Sequence, residues 1–225
     1  MTSAAGGNGR PTAQQVALDH LRRRISDGTL APDERIRQER IAEEIAASVV
    51  PVREALKTLE AEGQVRYVPH RGYQVRRLGL AELLETYHLR QLLEDDAIRQ
   101  ACPHFDDGLF EALEAEMATM ETAAREVDLV AMAEANRRFH FLLYERSGMP
   151  RMTDFIRQLW QSTDAYRARY YAEPGHRDRV NEEHRQIVAA LRAGAVEEAI
   201  ALLRRHRDAA VDSLRRVVEP EESAS

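Results

Sequence analysis

The residues of this chain best suited to chemistry are three histidines, each set among apolar residues at helical spacing. His140 lies in the run ANRRFHFLLYERSG, one helical turn after Asn136 on the edge of an apolar stripe. His184 and His206 take the same inward-facing position in VNEEHRQIVAAL and AIALLRRHRDAAVDSL. Neutral imidazoles are good ligands for Zn or Ni, and a bundle interior can bring side chains from three helices to one ion. The pattern therefore indicates a shared metal site.

Two alternatives remain open for these histidines. A single inward histidine is more often a hydrogen-bonded core residue than a ligand. Three histidines also form a catalytic zinc layout, in which Glu183, next to His184, could serve a metal-dependent hydrolase as a base. Adjacent helical residues point about 100° apart, so we expect Glu183 to face solvent. Because the chain also lacks HExxH, a nucleophile elbow and a phosphate loop, we predict that it is not an enzyme.

The elements that must position the histidines are helical. The chain has 225 residues, 44% hydrophobic and 31% charged with few aromatics, which suits a mostly helical protein. From residue 80 onward the loop signals CPHFDDG, SGMP, AEPG and RAGA separate helical patterns. Helices are predicted over residues 80–101, 106–125, 128–147, 150–171, 176–193 and 195–218. Six helices without a strand signal predict an antiparallel bundle over residues 80–218.

The first 77 residues show a different pattern. Apolar residues repeat at helical spacing over 12–27, 38–46 and 51–62, and a glycine follows the first and third segments. VRYV and YQV then alternate as strands around PHRG, where Gly72 permits the turn. Two short helices joined by a tight turn and followed by a two-stranded wing predict a winged helix-turn-helix domain over 12–77.

Residues 51–75, PVREALKTLEAEGQVRYVPHRGYQV, resemble the signature of the GntR-type winged helix-turn-helix regulators. The resemblance covers roughly residues 12–76 and implies a bacterial regulator whose second motif helix enters the major groove of double-stranded DNA. It implies DNA contacts from Arg40, Ser48, Val49, Arg53, His70, Arg71 and Gly72. One such module recognises only a half-site, so we expect a homodimer on a two-fold symmetric operator. Without the motif, each arginine would be a solvated surface charge.

One turn departs from the family pattern. Relatives usually have Ser-Arg-Thr before the proline, whereas this chain has Ser48, Val49 and Val50. By this alignment Val50 replaces a threonine that can cap the helix, at a cost of about 1 kcal/mol. Val49 replaces an arginine that touches DNA, at a cost of roughly 1 to 3 kcal/mol of base discrimination. Either the operator differs there, with Val49 meeting a thymine methyl, or DNA binding is weaker than in relatives.

Residues 80–216 resemble the FCD ligand-binding domain of the FadR-like subgroup, in its shorter, VanR-like six-helix form. The resemblance rests on HLRQLLEDDAIRQA, NRRFH, EEHRQIVAAL and the late His206. In metal-binding members the ligands are an Asp or Asn and three histidines, which implies Asn136, His140, His184 and His206 here. The spacing of Asn136 and His140 lets both reach one ion. The neutral amide leaves the cation its full charge, which favours an anionic effector.

The same resemblance implies a small carboxylic acid effector bound near Arg90 and Tyr87. Arg90 lies one turn from Tyr87 and Glu94 on the inner face of the first bundle helix, and in the family an arginine there pairs with the effector's carboxylate. The alternative is an intrahelical ion pair between Arg90 and Glu94. A repressor whose histidines are purely structural also stays open.

Charge and composition agree with two domains that have different partners. Residues 1–77 carry a net charge of +3 and residues 78–225 one of −9, with the boundary near Gly79. No apolar run approaches the roughly 20 residues that span a bilayer, and the single Cys102 excludes an internal disulfide. We therefore expect a cytoplasmic protein without membrane contact. The small, polar segments 1–11 and 219–225 are predicted to be disordered.

Overall fold

The structure of this chain, a computed structural model, describes residues 11–173 and 175–222, and of residues 165, 167–169 and 217–222 it describes the backbone alone. Except for its last residue, the predicted disordered segment 1–11 lies outside the described residues. A winged helix-turn-helix domain is followed by a helical bundle, which confirms the predicted fold class. No helix within the described ranges is long and apolar enough to cross a membrane.

The N-terminal domain contains three helices and a hairpin. They are α1 (Ala13–Ser26), α2 (Gln38–Glu44), α3 (Val49–Ala61), β1 (Val65–Val68) and β2 (Gly72–Val75). The strands are antiparallel, with Val68 opposite Gly72. At the turn between them His70 and Gly72 have φ angles of 64° and 80°, a region that glycine enters without steric penalty.

The wing is wider than the predicted two strands, because the segment before α2 pairs with β2. Arg35 forms a bridge with Gln74, and the amide of Ile36 donates to the carbonyl of Tyr73 (2.9 Å). Tyr73 is buried, so Gln74 and its partner Arg35 lie on the outer face of the sheet. The α1–α2 connection is thereby attached to the wing.

The C-terminal domain is helical throughout its described residues. The helices are α4 (Leu80–Ala101), α5 (Asp107–Glu126), α6 (Leu129–Glu145), α7 (Pro150–Ser162), α8 (Asp164–Ala172), α9 (His176–Arg192) and α10 (Val196–Glu222), with a 3-10 turn at Cys102–His104. The single helix predicted over 150–171 is two helices, because the chain breaks at Thr163, whose hydroxyl donates to the carbonyl of Trp160 (3.0 Å). The predicted disordered tail is wrong for residues 219–222, which continue α10, and 223–225 lie outside the described residues.

The break at Thr163 gives α8 a structural role between the domains. Tyr166, Tyr170 and Tyr171 on this helix are all buried. The hydroxyl of Tyr166 accepts a hydrogen bond from the amide of Leu78 (2.7 Å) and donates to its carbonyl (3.3 Å). Leu78 lies in the linker between β2 and α4, and α8 also packs against α1. The helix therefore joins the bundle interior to the linker and to the N-terminal domain.

A candidate metal centre and a candidate nucleic-acid interface

The three predicted histidines converge inside the bundle. His140 on α6, His184 on α9 and His206 on α10 place one ring nitrogen each within 4.8 Å of the others. None of the three is more than 8% exposed. The Nε2 atoms of His140 and His184 are 3.4 Å apart. Two nitrogens bound to tetrahedral zinc at about 2.0–2.1 Å lie about 3.3–3.4 Å from each other, so this spacing suits a shared ion.

Packing holds the rings of His140 and His184 in place, and burial keeps His184 neutral. His184 stacks on Phe139 with ring centroids 4.2 Å apart, and the ring of His140 lies 5.1 Å from that of Trp160. Burial, together with the like charges that His206 and His140 would carry, holds the pKa of His184 well below its usual value. His184 is therefore deprotonated at neutral pH, the state in which an imidazole binds metal.

The Nδ1 atoms of two rings have hydrogen-bond partners, so in the neutral tautomer that these partners favour, Nε2 is the nitrogen that can bind metal. Tyr144 donates to the carboxylate of Glu94 (2.9 Å), so its hydroxyl oxygen accepts from Nδ1–H of His140 (3.4 Å). Nδ1 of His206 lies 2.6 Å from the carboxylate of Glu183, which fixes the proton on that nitrogen. The prediction that Glu183 faces solvent is wrong, because its carboxylate contacts His206 on the neighbouring helix α10 and its side chain is only 23% exposed.

Asn136 lines the same cavity as the imidazoles of His140 and His206. It lies one turn before His140 and is 2% exposed. Its Oδ1 has no hydrogen-bond partner among the described residues. A buried polar atom without a partner costs about 1–3 kcal/mol, a cost that a bound cation removes. One oxygen and three imidazole nitrogens form a donor set that Zn or Ni accepts, so the residues present fit the predicted ion.

A narrow cavity opens beside these donors. Asn136, His140 and His206 line it together with Tyr87, Arg90, Trp160, Tyr170, Tyr171 and Arg207. About 40 Å³ of the cavity is open to the centres of water molecules. Since one water needs about 10–15 Å³ of such space, the cavity has room for about three waters or for a ligand of a few atoms.

Arg90 forms the ion pair that was the alternative prediction, and it also lines the cavity. Its Nε donates to Oε1 of Glu94 (2.8 Å). Its guanidinium carbon lies 4.7 Å from the ring centroid of Tyr87 and 4.2 Å from that of Trp160. Among the described residues, a hydrogen-bond acceptor is found for Nε alone. A guanidinium has five N–H donors, so the four on the Nη atoms are not used by a described residue.

Glu94 connects four helices around this cavity, a role that the sequence analysis missed. Besides Arg90 and Tyr144, it accepts hydrogen bonds from Nε1 of Trp160 (2.7 Å) and from Nη1 of Arg207 (2.7 Å). Burial raises the pKa of this carboxyl, but Arg90 and Arg207 outweigh burial and lower it to about 2. Glu94 is therefore ionised. No local spacing predicts the contact with Arg207, which depends on how α10 packs against α4.

Helix α3 presents the residues predicted to contact DNA at its N-terminal end. The helix begins at Val49, with Ser48 in the N-cap position. Arg53 is exposed, Val50 is 65% exposed, and Val49 is half-buried against the domain core. The prediction that Val50 takes the place of a capping residue is wrong, because Val50 is the second residue of the helix. Ser48 keeps the cap position, although its hydroxyl makes no capping hydrogen bond.

The other predicted DNA contacts lie on the wing and on α2. His70 and Arg71 at the wing tip are exposed, and Gly72 is half-buried. Arg40 on α2 is exposed as well, but its Nε donates to the carboxylate of Glu44 (3.0 Å). The wing arginine therefore has no competing ion pair among the described residues, whereas Arg40 does.

Comparison with known proteins agrees with both halves of this arrangement. Residues 12–75 match the gntR family of bacterial regulatory proteins, and residues 85–209 match the FCD domain. Over 146 residues the chain is 30% identical to the HTH-type transcriptional regulator McbR of Escherichia coli. The matched segment covers 65% of this chain and 66% of McbR. Over 212 residues it is 24% identical to the HTH-type transcriptional regulator YdhC of Bacillus subtilis, covering 93% of this chain and 95% of YdhC.

A solved structure shows the same fold along the chain. The structure of E. coli McbR/YncC superposes with a TM-score of 0.81 at 23% sequence identity, covering 95% of this chain and 100% of that chain. The winged domain and the bundle thus occur together in a known regulator. This chain belongs to the gntR family of bacterial regulatory proteins, with an FCD domain following its winged helix-turn-helix domain.

Proposed function

We propose that this regulator binds DNA as a homodimer and changes its operator affinity when a small carboxylate effector binds beside a metal ion in the FCD domain. Asn136, His140, His184 and His206 would hold Zn or Ni, whose positive charge attracts the carboxylate. One observation carries the proposal: an unpaired amide oxygen, the imidazoles of His140 and His206 and the guanidinium of Arg90 line one cavity.

The charges around the cavity favour an anionic ligand. Glu94 already accepts four hydrogen bonds from protein side chains. Its carboxylate therefore has little capacity left to bind a positively charged group of a ligand. Arg90 keeps donors in the planar fork that matches a carboxylate. Room for about three waters limits the effector, in this conformation, to a few non-hydrogen atoms.

The winged domain would supply the DNA contacts. We place α3 in the major groove and the wing tip on the neighbouring groove. The proposed contacts are Arg40, Ser48, Val49, Arg53, His70, Arg71 and Gly72. A single winged domain recognises a half-site, so two copies would bind a two-fold symmetric operator.

Helix α8 offers a route from the cavity to the DNA-binding domain. Tyr170 and Tyr171 line the cavity, and Tyr166 on the same helix holds Leu78 of the linker. An effector that prefers one position of α8 would shift the linker and the orientation of the winged domain. The shift can be no larger in free energy than that preference.

The two alternative functions are less well supported. A hydrolase needs a free base, whereas the carboxylate of Glu183 is engaged by His206. Relatives with curated names are transcriptional regulators. The other alternative, a repressor with purely structural histidines, predicts a protein that neither holds metal nor needs it for its response to a ligand.

Thermal shift with a panel of monocarboxylic acids of one to three carbons, which match the size of the cavity, tests this function. We expect at least one acid to raise the Tm of the Zn-loaded protein, and to leave the chelator-treated protein and Arg90→Lys unchanged. His88→Ala, an exposed histidine on α4, is the control and should respond as the wild type does. Equal stabilisation with and without metal, or no response to any acid, would refute the proposal.

A further inference from the structure

A groove rich in arginine lies beside the start of α2. Arg24, Arg35, Arg37 and Arg40 line it, together with Glu34. We call it the arginine groove. Because the segment containing Arg35 pairs with β2, the groove reaches from α2 to the outer face of the wing.

The four arginines fall into two pairs with different surroundings. Arg24 and Arg40 share the carboxylate of Glu44, at 2.6 Å and 3.0 Å. His20 also contacts this carboxylate, at 2.9 Å. Arg35 and Arg37 are exposed, and no described residue forms an ion pair with either of them.

Glu34, the acidic residue that lines the groove, does not neutralise Arg35 and Arg37. The carboxylate of Glu34 accepts a hydrogen bond from the backbone amide of Ala31 (3.0 Å) and forms no ion pair with a described residue. Arg35 and Arg37 therefore keep two positive charges without internal partners on the surface of the winged domain.

Arg37 also occupies a helix N-cap position, which does not favour arginine. It is the N-cap of α2 and makes no side-chain capping hydrogen bond. An arginine has no acceptor for the free amides of the first turn, which Ser, Thr, Asp or Asn would bind. In a helix-turn-helix the first helix crosses the DNA backbone, so a residue at its start lies beside phosphates.

We propose that Arg35 and Arg37 bind phosphates of the DNA backbone and form a contact of the winged domain that does not depend on base sequence. Phosphate contacts position a protein on the duplex without recognising bases. In a chain where Val49 stands in place of a base-contacting arginine, the arginine groove adds affinity but no discrimination. Arg40 contributes less, because it must first leave Glu44.

Salt dependence of DNA binding by the full chain measures this contact directly. The probe is a random-sequence duplex, which needs no knowledge of the operator. Each phosphate contact contributes about 0.9 to the slope of log Kobs against log salt concentration. In the proposed homodimer each substitution removes two such contacts, so we expect Arg37→Ala and Arg35→Ala each to reduce the magnitude of the slope by about 1.8, and Arg37→Lys to retain it.

Two variants control for the loss of charge alone. Arg125→Ala removes an exposed arginine of α5 in the bundle and should leave the slope unchanged. Arg40→Ala should lower it by less than Arg37→Ala does. An unchanged slope for Arg37→Ala, or an equal loss for Arg40→Ala or Arg125→Ala, would overturn the proposal.

Discussion

The arginines of the FCD domain and those of the winged domain differ in burial and in ion pairing. In the FCD domain Arg90, Glu94 and Arg207 are no more than 5% exposed and bind one another. In the winged domain Arg53 and Arg71 are exposed and have no ion-pair partner among the described residues. Buried charges interact strongly in a low dielectric, whereas exposed charges are screened by salt. The charges of the proposed bundle site are therefore already paired with one another, whereas Arg53 and Arg71 on the proposed DNA surface keep their charges for an external partner.

The strongest test of this contrast removes Glu94. Glu94→Ala leaves Arg90 and Arg207 buried without their shared carboxylate, so we expect the free energy of unfolding to fall by about 3–5 kcal/mol. Urea unfolding followed by circular dichroism measures it. Glu54→Ala, which breaks the exposed pair with Lys57 (2.9 Å), should change stability little. Similar losses of unfolding free energy in both variants would contradict the proposed difference between buried and exposed charges.

The pH dependence of stability should follow the buried carboxylate. Arg90 and Arg207 outweigh burial and hold the pKa of Glu94 at about 2, below its ordinary 4.5. Glu94 therefore stabilises the fold fully above pH 4.5, and this contribution is lost as the pH falls from 4.5 towards 2. Unfolding curves across this range should be steeper in pH for the wild type than for Glu94→Ala. Parallel profiles would contradict the lowered pKa.

On the exposed side, Arg53 should affect DNA binding without affecting stability. Arg53→Ala should weaken operator binding and relax the preferred sequence by about 1–3 kcal/mol at one base pair. Gel-shift titration at fixed salt and a selected-site profile measure both effects. If the operator affinity and the profile stay as in the wild type, α3 is not the recognition helix.

The smallest effect is expected at Val49, whose side chain is neither fully buried nor fully exposed. Val49 is half-buried, so the apolar stem of an arginine could pack there while its guanidinium reaches outward. Val49→Arg should tighten DNA binding or change the preferred base. A variant in which neither the affinity nor the selected sites change would show that position 49 does not face DNA.

Periodicity predicted the inward positions of the three histidines and the starts of most helices, because an apolar stripe determines which face of a helix is buried. It did not predict the break at Thr163, where a side chain competes for a backbone carbonyl. Nor did it predict that Glu183 meets His206, since that contact depends on how two helices pack. Residues whose roles come from tertiary contacts, such as Trp160 and Arg207, carry no local signal.

The metal content of the full chain tests the central claim most directly. The wild type, purified without a histidine tag and supplied with Zn or Ni, should hold one ion per chain by elemental analysis. His184→Ala should hold none while keeping its helical circular dichroism, and His88→Ala should bind metal as the wild type does. A wild type without metal, or a His184→Ala variant that retains it, would contradict the account and leave the histidines a structural role.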